Sequence, residues 1–346
     1  MASITELCKL GNENLIEDTL ETITGTGEVL HDYSSTGRER PWGRHKMGNE
    51  RLYKLYEKAR EIDPLIMSDS RMESLQSCAS SLLYKVADNG RKKLVQANFC
   101  RVRLCPMCNW RKSLKMFSQV SKITDTIMER QDGTRFIFLT LTVKNVEGAE
   151  LSKEIDRINE GFSYIVAKSR NFAGAKGLKE HLLGYLKAVE ITYNAKQNTY
   201  HPHIHAILEV DNAYFDSKNY LGRVKWAKLW QDAIKADYLP SIDVRAIDTT
   251  SKAVAEVAKY PMKMDIVLKN RDEEKAVNAV ITLHRSTYKR RLVTFGGDMA
   301  EVKRQLSLDD VEKGDLTHVE AEQEKGFNAV AQVLFQYKAG QGVYIC

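Results

Sequence analysis

The stretch from Gly184 to Val210 constrains the fold of this chain more tightly than any other. Gly184 to Tyr193 and Tyr200 to Val210 are two strand-like runs joined by the polar loop Asn-Ala-Lys-Gln-Asn-Thr, which reads as an antiparallel hairpin. The second run opens His201-Pro-His203-Ile-His205; side chains two apart on a strand share a face, so the three imidazoles point the same way. With Tyr193 paired to Tyr200 across the six-residue loop, Glu190 falls directly opposite His203, within cross-strand reach. A carboxylate inside Leu-Lys-Ala-Val-Glu-Ile-Thr-Tyr is costly on a buried strand face unless it is paired or liganded. Two imidazoles and a carboxylate leave open positions on a divalent ion, which suits catalysis rather than scaffolding. The same ligand types serve non-haem iron oxygenases, so the ligands alone do not choose the chemistry.

Around the hairpin, Arg135 to Lys144 reads as a central strand, about 151 to 169 as a helix, Tyr220 to Ala236 as a helix anchored by Trp226 and Trp230, Ser241 to Ile247 as a strand, and Arg291 to Phe295 as a strand ending at Gly296-Gly297. Strands and helices without regular alternation predict an α+β fold, a central antiparallel sheet flanked by helices. The organisation expected is a polar, flexible lead-in followed by a helix over residues 1–70, a cysteine-rich module over 71–120, the domain with the histidine strand over 121–300, and an acidic helical tail over 301–346. Met1 to Leu20 carries Glu6, Glu13, Glu17 and Asp18 and no apolar core, unlike a signal peptide. No apolar run approaches the roughly 20 residues of a membrane span, and a cytoplasmic location with no membrane partner is expected.

Reducing conditions there favour metal binding by clustered cysteines over disulfides. Cys78, Cys100, Cys105 and Cys108 fall in one region, the last three within Cys-Arg-Val-Arg-Leu-Cys-Pro-Met-Cys. Two thiolates separated by two residues present both sulfurs to one tetrahedral Zn²⁺; Cys100 adds a third ligand and Cys78 the fourth, with His45 as the alternative to Cys78. The 52 Lys and Arg against 46 Asp and Glu give a charge of only +6, but every charge from Asn89 to Lys115 is positive. A one-sign field of this kind points to an anionic partner. Arg101, Arg103, Arg111 and Lys112, with Arg290 and Arg291 further on, are the expected phosphate contacts, and Phe99 and Trp110 are either base-stacking or core residues.

In Ala253-Val-Ala-Glu256-Val-Ala-Lys259-Tyr260-Pro-Met-Lys263, Glu256 and Tyr260 are four apart and share one helical face. Taken together, Phe138-Leu-Thr-Leu-Thr, a Glu-bearing strand, His203-Ile-His205, Glu256-x-x-x-Tyr260 and, ahead of them all, Cys-x-x-x-x-Cys-Pro-x-Cys-Asn-Trp-Arg resemble the replication initiators of bacterial rolling-circle plasmids. The subgroup resembled is that of HUH endonucleases with a single tyrosine and a glutamate one helical turn before it. The likeness spans roughly residues 40 to 300, in the right order. It implies that His203, His205 and Glu190 hold Mg²⁺ or Mn²⁺, with His201 at the rim, that Tyr260 attacks the scissile phosphate, that Glu256 activates water to end the cycle, and that Lys263 steadies phosphate or phenolate. It implies plasmid origin DNA, extruded or single-stranded at the nick, as substrate, and a host helicase and DNA polymerase as partners. Two other readings compete: a zinc-dependent DNA-binding regulator without catalysis, and a relaxase or transposase of the same superfamily.

Overall fold

A computed structural model of the chain describes residues 22–167, 176–247, 254, 263–319 and 327–346. Among these, the strands are β1 (Thr22–Ile23), β2 (Ser81–Ala87), β3 (Lys92–Ala97), β4 (Arg135–Leu141), β5 (Leu182–Asn194), β6 (Thr199–Val210), β7 (Ile242–Ile247), β8 (Val293–Gly297), β9 (Ala329–Lys338) and β10 (Val343–Ile345). The helices of eight or more residues are α1 (Trp42–Ile62), α2 (Asp69–Ser77), α3 (Pro106–Met128), α4 (Leu151–Val166), α5 (Arg223–Ala233), α6 (Glu273–Thr287) and α7 (Asp298–Gln305). The class is α+β, as expected. Two compact units divide the chain, one formed by residues 1–111 with 315–346 and the other by 112–314. No helix among the described residues is long and apolar enough to cross a membrane.

In the first unit the sheet order is β1-β9-β2-β3, with β10 also paired to β9. Leu82, Tyr84 and Val86 alternate along β2 and are buried, and they stand opposite the buried Phe335, Val333 and Ala331 of β9. Each strand thus presents one apolar face at period two. Here the chain departs from the expected helical tail: among the described residues of the tail only α7 is helical, and residues 329–345 supply β9 and β10. The reason lies in Ala331, Val333 and Phe335, whose two-residue spacing gives one face on a strand but scatters around a helix. The described part of the expected lead-in is likewise tied in, since β1 pairs with β9 and Leu30 N donates to Tyr344 O at 2.8 Å.

The second unit holds an antiparallel sheet of order β7-β4-β6-β5-β8. Helix α3 lays Met116, Val120, Ile123 and Ile127, spaced at one helical turn, against Phe136, Phe138, Leu186, Ala188 and Ile207 of this sheet, and Met299 and Val302 of α7 join them. Burying each such aliphatic side chain stabilises by roughly 1.5–3 kcal/mol, so this layer fixes the sheet that carries the histidines.

Candidate functional site

The hairpin β5–β6 pairs Tyr193 with Tyr200, Glu190 with His203 and Ala188 with His205. A proline inside a strand removes a ladder donor, yet Pro202 sits here without loss. Tyr200 exchanges both backbone hydrogen bonds with Val146 on the β4 side, so two residues on the Pro202 nitrogen also faces that side, where β4 pairing has ended at Leu141 and Ile204. The missing N–H therefore falls in a gap of the ladder.

Two partners orient the imidazoles. Thr140 Oγ1, directly across from His205 on β4, lies 3.1 Å from His205 Nδ1, and His201 O lies 3.2 Å from His203 Nδ1. With each Nδ1 engaged, the Nε2 atoms are left to act as ligands. They stand 3.2 Å (His205) and 3.7 Å (His203) from Glu190 Oε2, and Lys263 Nζ pairs with Oε1. Glu190 is 1% exposed, and among the described residues neither carboxylate oxygen makes a well-formed hydrogen bond despite these close nitrogens. Burial would raise its pKa, but His203, His205 and Lys263 outweigh burial and hold the carboxyl well below the usual range. One ligand atom from each of Glu190, His203 and His205 lies within 4.8 Å of the others. A buried anion with under-satisfied oxygens beside two oriented imidazoles fits a divalent cation. His201 borders this group, its ring 5.3 Å from that of His203, and its buried Nε2 finds no hydrogen-bond partner among the described residues. Glu256 and Tyr260 lie outside the described residues.

In the first unit, Cys78, Cys100, Cys105 and Cys108 are all buried and converge. Their Sγ atoms are 3.8 Å apart for Cys78 and Cys105, and 3.7 Å apart for both Cys78 and Cys108 and Cys100 and Cys108. That is too long for a disulfide, but metal–sulfur bonds of about 2.3 Å in a tetrahedron give sulfur–sulfur edges of about 3.8 Å. The backbone N–H groups of Cys100, Arg101 and Val102 donate to the sulfurs of Cys78, Cys108 and Cys100 at 3.4, 3.3 and 3.4 Å. Cys78, rather than His45, completes the set; His45 stacks on Trp110 at 4.8 Å. Sequence reasoning passed over Lys46 and Asn49. Lys46 Nζ donates to Cys78 O at 2.8 Å, and Asn49 Nδ2 lies 3.5 Å from Cys105 Sγ. They sit in the first two turns of a helix with mixed charges, and nothing in that pattern marks them.

The expected phosphate contacts divide. Arg101 and Arg291 are exposed and Arg103 half-buried. Arg111 and Lys112 are 4% and 3% exposed. The Arg111 guanidinium donates to Leu316 O at 2.9 Å and Thr317 O at 2.7 Å and lies against the rings of Trp42 and Trp110. Trp110 is thus packed within its unit, edge-on to Trp42. Arg290 forks onto Asp156 and Ser152. The one-sign field is partly an inward-facing one because its counter-groups come from some 200 residues further along the chain.

Residues 91–345 match the family described as Replication protein. The chain is 36% identical over 321 residues to a Protein rep of Streptococcus pneumoniae serotype 2 (strain D39 / NCTC 7466), covering 90% of this chain and 95% of that one. It is 36% identical over 337 residues to a Protein rep of Bacillus amyloliquefaciens, covering 92% and 97%. A Replication protein of Staphylococcus aureus is 34% identical over 225 residues, covering 62% of this chain and 92% of its own. No solved structure matches. Relatives aligned nearly end to end, and a family match across most of the chain, agree with the likeness carried by the histidine, cysteine and Glu-x-x-x-Tyr motifs: the chain belongs to the replication protein family.

Proposed function

We propose that this protein initiates rolling-circle replication of a plasmid by nicking one strand of the origin through Tyr260. The observation that carries this reading is the meeting of Glu190, His203 and His205 within 4.8 Å on one sheet face, with Lys263 on the Glu190 carboxylate. Glu190, His203 and His205 would hold Mg²⁺ or Mn²⁺, which when bound polarises the phosphoryl oxygens and offsets the charge that gathers on them in an in-line displacement. Thr140 and the His201 carbonyl keep the imidazoles aimed, and Lys263 balances the Glu190 charge. Lys263 stands three residues after Tyr260 in sequence, and three residues of chain reach at most about 11 Å, which supports Tyr260 as the group that attacks here.

The Tyr260 oxygen bonds to phosphorus as the bond to the 3′ oxygen breaks, giving a 5′-phosphotyrosine link and a free 3′-hydroxyl that primes the host polymerase behind a host helicase. The tyrosyl ester keeps the phosphodiester energy, so strands can be rejoined. Termination needs a second cleavage, for which Glu256 takes a proton from the attacking water. Zn²⁺ held by Cys78, Cys100, Cys105 and Cys108 would stabilise the first unit, with Arg101, Arg103 and Arg291 contacting origin phosphates. A cytoplasmic setting follows from this role.

The decisive experiment incubates the protein with origin oligonucleotide and Mn²⁺ and looks for a covalent protein–DNA adduct. Wild type is expected to form it, Tyr260→Phe to lose it, and Glu256→Ala to nick but fail to terminate. An adduct surviving Tyr260→Phe would remove the nucleophile, and no adduct with wild type would favour the DNA-binding regulator.

A further inference from the structure

Strand β7 forms one edge of the second unit's sheet, and its pairing with β4 sets Asp243 opposite Thr140 and Arg245 opposite Phe138. Across β4, Thr140 stands opposite His205 and Phe138 opposite Ile207. Directly opposed residues of antiparallel strands share a face, so Asp243 and Arg245 stand on the face that bears Glu190, His203 and His205. The Arg245 guanidinium lies 5.2 Å from the centre of the Phe138 ring, and that ring stacks on His205 at 5.7 Å with 28° between planes. A planar cation is therefore one aromatic ring away from a metal ligand. The Arg245 side chain is 65% exposed, and its Nη2 sits 2.5 Å from Asp243 Oδ2, itself 46% exposed.

An exposed ion pair of this kind contributes about 0–1 kcal/mol to stability, too little to account for placing a guanidinium over a ring beside the site. What the arrangement supplies is order: Asp243 and Phe138 hold a side chain that otherwise carries large rotamer freedom, and a guanidinium fork matches the paired oxygens of a phosphate. We propose that Arg245 grips a backbone phosphate of the single DNA strand next to the phosphate seated at Glu190, His203 and His205, with Asp243 setting the plane of the fork. This inference rests on the nicking reading above.

The test measures binding of a short labelled single-stranded oligonucleotide by fluorescence anisotropy, with no divalent ion added, over a series of salt concentrations. Arg245→Gln is expected to weaken binding about tenfold, the scale of one hydrogen bond to a charged group, and to flatten the slope of log affinity against log salt by about 0.7, one phosphate contact on a single strand. Arg245→Lys keeps the charge and is expected to keep the slope while losing part of the affinity. Asp243→Asn keeps an acceptor oxygen beside the fork but removes the competing charge, and is expected to tighten binding by a few-fold. Thermal melting of each variant checks folding, which an exposed edge position tolerates. Wild-type binding with unchanged affinity and slope in Arg245→Gln would overturn this inference and leave the nicking reading standing. No single-strand binding by wild type, together with no covalent adduct, would overturn both.

Discussion

Lys46 is a buried ammonium, 3% exposed. Its Nζ donates to Asn49 Oδ1 at 2.9 Å, Gln76 O at 2.9 Å and Cys78 O at 2.8 Å. Burial pulls its pKa down, and nearby Cys78 and Cys105 pull it back up. Four thiolates around a divalent ion carry a net charge of about −2, and Lys46 is placed to balance part of it. Lys46→Met is therefore expected to release zinc to a chelator about tenfold faster, the usual effect of losing a partner just outside the ligands; release at the wild-type rate would detach Lys46 from the site. Glu209 is the opposite case, a buried acid in the second unit. Burial first, then the neighbouring Asp298 carboxylate, push its pKa up to about 8, against the opposing pull of Arg130. Since that value lies above the ordinary carboxylate range, its contribution to stability is fully present below about pH 4.5 and lost as pH rises through about 8. Glu209→Gln mimics the protonated acid, so its stability should exceed that of wild type at pH 9, by about 5 kcal/mol for a pKa displaced from 4.5 to about 8, and converge with it near pH 4. A gap that stayed constant with pH would exclude ionisation as its cause.

Gly161 of α4 packs tightly against Trp230 of α5 and the following Ile234: an added Cβ would stand 2.6 Å from Ile234 Cγ2 and 3.0 Å from Trp230 Cζ3. Helix propensity alone favours alanine there by about 1 kcal/mol, but overpacking a filled core costs about 1–3 kcal/mol. Packing is expected to win: Gly161→Ala should lower the denaturation midpoint with an unchanged m-value, and a raised midpoint would mean that Trp230 yields. Element-level reading from sequence succeeded where a signal was local. The β5–β6 register follows from period-two alternation and a six-residue loop, so Glu190 opposite His203 is legible in the sequence. Alternation in β2 and β9 was equally present in Leu82, Tyr84 and Val86 and in Ala331, Val333 and Phe335, but apolar residues set between them, Leu83 and Leu334, obscured it. Burial of Arg111 was not legible, because the carbonyls it reaches, on Leu316 and Thr317, are 205 and 206 residues away in sequence.

At the scale of the whole molecule, the chain returns to where it began: the first unit is assembled from residues 1–111 and 315–346. The net charge of +6 is accordingly a poor guide to surface. Acidic residues near the end of the chain are partly structural, Asp309 pairing with Lys115 and Asp310 with Arg291 in the second unit. Strand β9 lies between β1 and β2, and with β10 it closes on the residues that follow Cys78: Tyr337 N of β9 donates to Ser80 O at 2.9 Å, and Tyr344 OH of β10 donates to Ala79 O at 2.6 Å. The cysteine cluster therefore depends on sequence some 250 residues downstream of its first cysteine. A chain ended at Gly314 loses the β9 face against which Leu82, Tyr84 and Val86 are buried, exposing apolar side chains worth roughly 1.5–3 kcal/mol each. It is expected to purify with little zinc and with the four clustered thiols open to alkylation. Amides of β5 and β6, whose pairing lies wholly within residues 112–314, should keep their protection from hydrogen exchange. Full zinc content in the shortened chain would show that the cysteines hold their geometry without β9, and loss of β5–β6 protection would show that the two units do not fold independently.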